Sequence, residues 1–150
     1  MTGTNHGITG AAIALLVREP VVAIPLSYAS HFVCDVIPHF DMTFGDKLFG
    51  KKFNITLICD FFAAATLMIL FGFLFPSQKW IIWACMIVAA SPDLAWAYYY
   101  LYSDRLKHRK LKPDPITRWH SQIQWSQTLK GGYVEAVWFL LMGLIILTRR

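Results

Sequence analysis

Two apolar stretches, from about Asn54 to Phe75 and from about Trp80 to Tyr102, are separated only by Pro76-Ser77-Gln78-Lys79. Each reaches the roughly 20 residues that an α-helix needs to cross the hydrocarbon core of a bilayer. A third candidate, Tyr133 to Thr148, is shorter and is closed by Arg149 and Arg150. The rest of the chain offers little polar surface to keep such segments in water. Of its 150 residues 56% are hydrophobic and 15% charged, against about 25% charged in an ordinary soluble domain. These proportions exclude a disordered, collagenous or disulfide-stapled chain. They predict one domain, residues 1–150, of the all-α integral membrane class.

The N-terminal region reads differently. Ile8 to Val17 is too short to cross, Arg18-Glu19-Pro20 interrupts it, and Val21 to Ile37 is only marginally long enough. The pattern predicts a short helical hairpin, with Pro20 opening its second helix near the first turn. Met1 to Gly7 lacks the basic start of a cleavable signal. The expected architecture is this hairpin followed by about three transmembrane helices around a polar pocket.

Charge placement sets an orientation. Residues 38–53 carry Lys47, Lys51 and Lys52, and residues 103–130 carry Arg105, Lys107, Arg109, Lys110, Lys112, Arg118 and Lys130. By the positive-inside rule these two loops face the cytoplasm of a plasma (inner) membrane, and Pro76 to Lys79 lies outside. The last helix then exits outward, against the pull of Arg149 and Arg150. The net charge of +5 thus belongs to loops between spans, and nucleic acid is not the expected partner, although the basic loop suits phosphates of any kind. Cys34, Cys59 and Cys85 all lie in apolar runs and read as small core hydrophobes in reduced surroundings, with a free-thiol nucleophile as the alternative.

Against this background four carboxylates stand out: Asp35, Asp60, Asp93 and Glu135. Each costs about 2.5 to 3.5 kcal/mol at a helix centre on the insertion scale, less near an interface. No Lys or Arg lies inside a span to offset them. The acids must be protonated, wetted by a cavity, or neutralised by a bound cation. Their depths agree: Asp93 is roughly 13 Å from the cytoplasmic end of its segment at 1.5 Å per residue. His6, His31, His39 and His120 map to the same leaflet or its edge.

The densest cluster runs from His31 to Asp41. His31 and Asp35 are one helical turn apart and share a face, the spacing of two ligands of one metal. Pro38 disfavours helix at Ile37, so the chain should turn there and bring His39 and Asp41 back to the same pocket. The plainer alternative is an Asp–His hydrogen bond at a polar helix end. Ser91-Pro92-Asp93 predicts a bend with Asp93 pointing inward, or a packing kink with a protonated acid. His120, in an amphipathic stretch with Gln124, is a ligand or an interfacial histidine. Arg118 beside it is a bidentate phosphate contact or a membrane-side anchor. His6, followed by the small residues Gly7 and Gly10, is a ligand or part of a solvated N-terminus. Asp60 and Glu135 are ligands or partners of histidine rings, with one carboxylate as general base. His108 reads as solvated charge, and Trp80, Trp83, Trp96, Trp119, Trp125 and Tyr98 to Tyr100 as interfacial belts.

At these residues the chain resembles the family of membrane-bound metal-dependent hydrolases, some described as inner-membrane LexA-binding proteins. The likeness covers most of the chain. It rests on His6 with Gly10, the block His31-x-x-x-Asp35-x-x-Pro38-His39-x-Asp41, the Ser91-Pro92-Asp93 turn and the His120-Ser121 pair. Family members often carry a further His with Arg shortly before the final His-Ser; here only Arg118 is present. The central block is also similar to helical zinc-dependent phospholipase C and P1-type nucleases, which hydrolyse phosphoesters.

The resemblance and the residues together lead to the expectation of a metal-dependent hydrolase. His6, His31, Asp35, His39, Asp93 and His120 are its metal ligands, and Asp60, Glu135 and Arg118 its catalytic groups. Zinc suits the donors best, with manganese or magnesium as alternatives. A site in the cytoplasmic leaflet implies a lipid or lipid-linked phosphoester as substrate. Two rivals differ in class: an ion or proton transporter, and a membrane anchor that holds a soluble partner through the basic loop. The transporter predicts polar residues continuing to the outer leaflet, where Phe71 to Phe75 and Trp80 to Met86 supply almost none.

Overall fold

The predicted N-terminal hairpin is present, and its first helix lies at the centre of the molecule. The computed structural model describes residues 1–40, 50–94 and 115–149. Its helices are α1 (Gly3–Val17), α2 (Pro20–Val36), α3 (Lys51–Leu74), α4 (Lys79–Ala90), α5 (Pro115–Ile123) and α6 (Gly131–Leu147). A 3-10 turn, Ser91–Asp93, follows α4, and two-residue strands β1 (His39–Phe40) and β2 (Gln127–Thr128) precede α3 and α6. Among the described residues the fold is all-α apart from that one bridge.

α1 is apolar all round, the mark of a helix buried on every side, and packs against α2, α3, α4 and α6. Its small residues allow this. A Cβ on Gly10 would stand 2.3 Å from the Cys85 carbonyl oxygen, so only glycine lets α1 and α4 meet this closely. Ile8, Ala11, Leu15, Ile82, Cys85 and Met86 form the middle of the core. Trp138 Nε1 donates to Thr9 Oγ1 at 2.8 Å and ties α6 to α1; Trp83 Nε1 donates to the Met68 carbonyl at 2.7 Å and ties α4 to α3.

Local chemistry sets the helix ends. Arg18 turns the chain in the left-handed conformation (φ 60°), and Pro20 then opens α2 as expected. Ile37, ahead of Pro38, is extended and closes α2. His39 and Phe40 run beside Gln127 and Thr128 in parallel. A Cβ on Gly131 would lie 2.0 Å from the His39 carbonyl oxygen, which makes glycine obligatory where α6 starts.

The expected middle span bends at Ser91-Pro92-Asp93, as its proline predicted. Its helix stops at Ala90 and tightens into the 3-10 turn; residues 95–102 lie outside the described ones. Pro92 has no N–H to give the Val88 carbonyl, and the Ser91 N–H and hydroxyl take that acceptor instead. Among the described helices, α3 alone is long and apolar enough to cross a membrane, with 24 residues and a mean hydropathy of 2.3 over its best window. α2 and α6 are apolar and shorter, 17 residues each. The outer faces of these helices are apolar too: Val21, Phe61, Phe73, Tyr133 and Leu140 are all exposed.

Candidate metal centre

The polar groups collect at one end of the bundle, where α2 and α4 finish and α1 and α6 begin. α2 delivers His31 and Asp35 from successive turns of one face, both fully buried. The 3-10 turn delivers Asp93 and α5 delivers His120. One ligand atom from each of these four residues lies within 4.8 Å of every other. His31 Nε2 is 3.2 Å from Asp35 Oδ2, 3.0 Å from His120 Nε2 and 3.6 Å from Asp93 Oδ1; His120 Nε2 is 2.7 Å from Asp35 Oδ2.

These separations suit a cation. Four ligands about 2.0 to 2.1 Å from a tetrahedral zinc stand about 3.3 Å from one another. The hydrogen bonding fits as well. His31 Nδ1 lies 2.8 Å from the Ala89 carbonyl oxygen, a contact that puts a hydrogen on Nδ1. It turns His31 Nε2 into the cluster, the arrangement that outer partners impose on metal-binding histidines. The helix break supplies that partner, because the 3-10 turn begins just past Ala89. Gln124 Nε2, just past the end of α5, donates to Asp35 Oδ2 at 3.2 Å and braces the carboxylate. Phe32 packs against the rings of both His31 and His120 and walls the cluster on one side. The group His31, Asp35, Asp93 and His120 can hold a metal ion.

The other sequence candidates occupy distinct places. His6, expected at a hairpin tip and open to solvent on one reading, is fully buried in α1 and stacks on His31 with ring centroids 3.9 Å apart. Its Nε2 is 3.2 Å from Asp35 Oδ1. The Met1 ammonium forms a buried ion pair with the same oxygen. His39 is buried beside β2, outside the group of four; its Nδ1 donates to the Ile37 carbonyl at 2.8 Å, and its Nε2 has no hydrogen-bond partner. Burial holds the His39 imidazole below its ordinary range, and so in the neutral form.

Asp60 and Glu135 collar the start of α1. Asp60 accepts the Gly3 and Thr4 N–H groups at 2.8 and 3.0 Å. Glu135 accepts the Thr2 N–H and hydroxyl at 3.1 and 2.5 Å, the Asn5 amide at 2.7 Å and the Phe40 N–H at 3.0 Å. Both carboxylates meet the positive end of the helix dipole and its otherwise unpaired donors. Among the described residues no imidazole hydrogen-bonds to either. Arg118 is exposed on α5, and Asp41 and residues 103–114 of the basic loop lie outside the described residues. Sequence reasoning assigned no role to Gln124, Thr2 or the Ala89 carbonyl. Only the last had a signal, the proline three residues beyond it.

Nothing among protein-family models, curated proteins or solved structures matches this chain.

Proposed function

We propose that this chain is an integral-membrane, metal-dependent hydrolase of the family that its motifs resemble, acting on a lipid or lipid-linked phosphoester in the cytoplasmic leaflet. The observation that carries the reading is the meeting of His31, Asp35, Asp93 and His120 from three separate elements at ligand spacing. Two buried or half-buried carboxylates that converge with two imidazoles on one point form a donor set that a divalent cation completes.

The membrane reading is supported by the apolar exterior. α3 presents Ile58, Phe61, Phe62 and Ile69 outward, an apolar face of the kind that marks a membrane or protein contact. Depth is supported by Asp60, nine residues into α3 and bonded to the first turn of α1. The level of Asp60, roughly 13 Å from the start of α3 at 1.5 Å per residue, supports a centre within the leaflet that the basic loops mark as cytoplasmic.

Zinc is the first choice for two histidines and two carboxylates, with manganese or magnesium as alternatives. When bound, such an ion supplies Lewis acidity and makes water a better nucleophile near neutral pH. The chain's own groups do the rest. Ala89 and Gln124 fix the orientation of His31 and Asp35. Asp93 has a side chain 36% exposed, whereas those of His31, Asp35 and His120 are at 3% or less, so a water or substrate oxygen approaches from the Asp93 side. Arg118 and the basic loops draw the anionic head group to the inner face.

Metal analysis and activity on the same preparations test this reading. The full-length protein in detergent should carry tightly held zinc, and Asp35→Asn and His31→Ala should lose it. Hydrolysis of phosphoester lipids in mixed micelles should stop with chelator and return on zinc addition. Unaltered metal content in both variants would remove the proposed ligands.

A further inference from the structure

The rings around the cluster do not stop at its ligands. Phe32 lies edge-on to both ligand imidazoles, with its centroid 5.3 Å from that of His31 and 5.5 Å from that of His120. It also meets Trp119 of α5 at 5.0 Å and Tyr28, one turn back along α2, at 5.4 Å. A run of ring contacts thus leads from the clustered ligands to side chains that face outward. Tyr28 is 42% exposed and Trp119 49%. The fold leaves much of both rings uncovered, beside a centre whose ligands, Asp93 apart, are sealed.

Tyr28 and Phe32 belong to a longer stripe. Val21, Pro25, Tyr28 and Phe32 follow one another at spacings of four, three and four residues, which keeps them on one face of α2. The first three are exposed and Phe32 is half-buried. From Phe32 to Val21 the stripe runs roughly 16 Å at 1.5 Å per residue, about half of the roughly 30 Å hydrocarbon core of a bilayer. Because α2 finishes at the centre, the stripe leads from the centre back into the depth of one leaflet. At the other end Arg118, also exposed, precedes Trp119 and supplies a guanidinium of the kind that grips phosphate. Cationic group, aromatic rings and apolar stripe follow in the order of the parts of a lipid phosphoester, anionic head first and hydrocarbon chain after.

We infer that Tyr28, Phe32 and Trp119 form the binding site for the hydrocarbon chain of the substrate lipid, which lies along α2 with its phosphoryl group at the metal centre. This deepens the hydrolase reading and rests on it for the head group. Aromatic faces suit the task, since each offers a large rigid apolar surface. The outer faces of α3 and α6 are apolar as well, but among the described residues no ring contact joins them to the clustered ligands. Those faces meet bulk lipid; the α2–α5 face meets the chain of the molecule that the centre holds.

Photolabelling of the full-length chain tests this, in phosphatidylcholine nanodiscs with zinc present. The probe is hexadecylphosphonate with a diazirine at mid-chain, and the crosslinks are mapped by mass spectrometry. Labelling of the α2 and α5 peptides that hold Tyr28, Phe32 and Trp119 should saturate. Excess hexadecylphosphonate should displace it, whereas hexadecanol, the same chain without the anionic head, should not. Labelling of α3 and α6 should rise without saturating. Tyr28→Ala and Trp119→Ala should each raise the half-saturating concentration about tenfold, the effect of uncovering part of an apolar chain, with zinc content unchanged. Equal displacement by hexadecanol, or labelling of α2 and α5 that saturates no more than that of α3 and α6, overturns the chain site. An unchanged half-saturating concentration in both variants rejects these rings as its lining, and the wild-type competition decides the matter if the variants do not fold. The phosphonate is not hydrolysed, so binding is read apart from turnover. Saturable labelling with no hydrolysis of phosphoester lipids would overturn the hydrolase reading and leave the chain site standing.

Discussion

Asp35 has His31, His120, Gln124, His6 and the Met1 ammonium all around one carboxylate. Gln124 is the informative neighbour to change, because it touches Asp35 Oδ2 without being one of the four clustered ligands. Loss of a group that orients a ligand typically weakens metal binding about 10- to 100-fold. Gln124→Ala should therefore retain the metal at saturation yet release it to a competing chelator at a concentration lower by that factor. An unchanged chelator midpoint would mean that the amide does not brace the site. The spacing His31-x-x-x-Asp35 was legible because a helix puts such a pair on one face whatever surrounds it. Asp60 and Glu135 were not legible in the same way. A carboxylate in an apolar helix looks alike in sequence whether a cation neutralises it or the N–H groups of another helix do. Here the partners are Gly3 and Thr4 for one, and Thr2, Asn5 and Phe40 for the other. Asp60→Ala should accordingly cost stability of about 1 kcal/mol, as removal of a helix cap does, and leave metal stoichiometry intact. Unfolding in graded detergent mixtures, with metal analysis beside it, separates the two effects.

At the level of elements, α1 was the hardest to place from sequence. Its length argued against a membrane crossing, but length says nothing about a helix enclosed by other helices. The better signal was its girth, with glycine or alanine at positions 3, 7, 10, 11, 12 and 14 letting neighbours approach on all sides. Gly10→Ala tests this directly. The added methyl would meet the Cys85 carbonyl at 2.3 Å, and overpacking of this kind costs about 1 to 3 kcal/mol. Gly143 in α6 has nothing within 4 Å of the same construction. Gly143→Ala should be neutral or stabilising by up to about 1 kcal/mol, the helix-propensity gain of alanine over glycine. Equal unfolding midpoints for the two variants would contradict the close α1–α4 contact. The break at Pro92 was legible as a bend, but not the resulting release of the Ala89 carbonyl to His31. The β1–β2 bridge was not legible at all, since two residues carry no periodicity to read.

For the molecule as a whole, the distribution of basic residues along the sequence sets the side of the membrane that the centre should face. Of the 14 Lys and Arg residues, ten lie in residues 38–53 and 103–130. Arg18, Lys79 and Arg149 fall at the opposite helix ends and pull the other way, as does Arg150 by its place in the sequence. The positive-inside rule weighs the total, so the metal centre should face the cytoplasm. Lys51 at the head of α3 and Ser77 in the turn after it are both exposed and mark opposite ends of one span. In a Cys59→Ala background, with Cys34 and Cys85 buried, single cysteines at these two positions report sidedness. A membrane-impermeant maleimide applied to intact cells should label Ser77→Cys and reach Lys51→Cys only after permeabilisation. The opposite pattern would put the centre on the outer face, where a cytoplasmic-leaflet lipid is out of reach and the substrate would have to come from the other side. Labelling of both positions in intact cells would deny that α3 crosses the bilayer. The apolar faces of α2, α3 and α6 would then need cover from another protein.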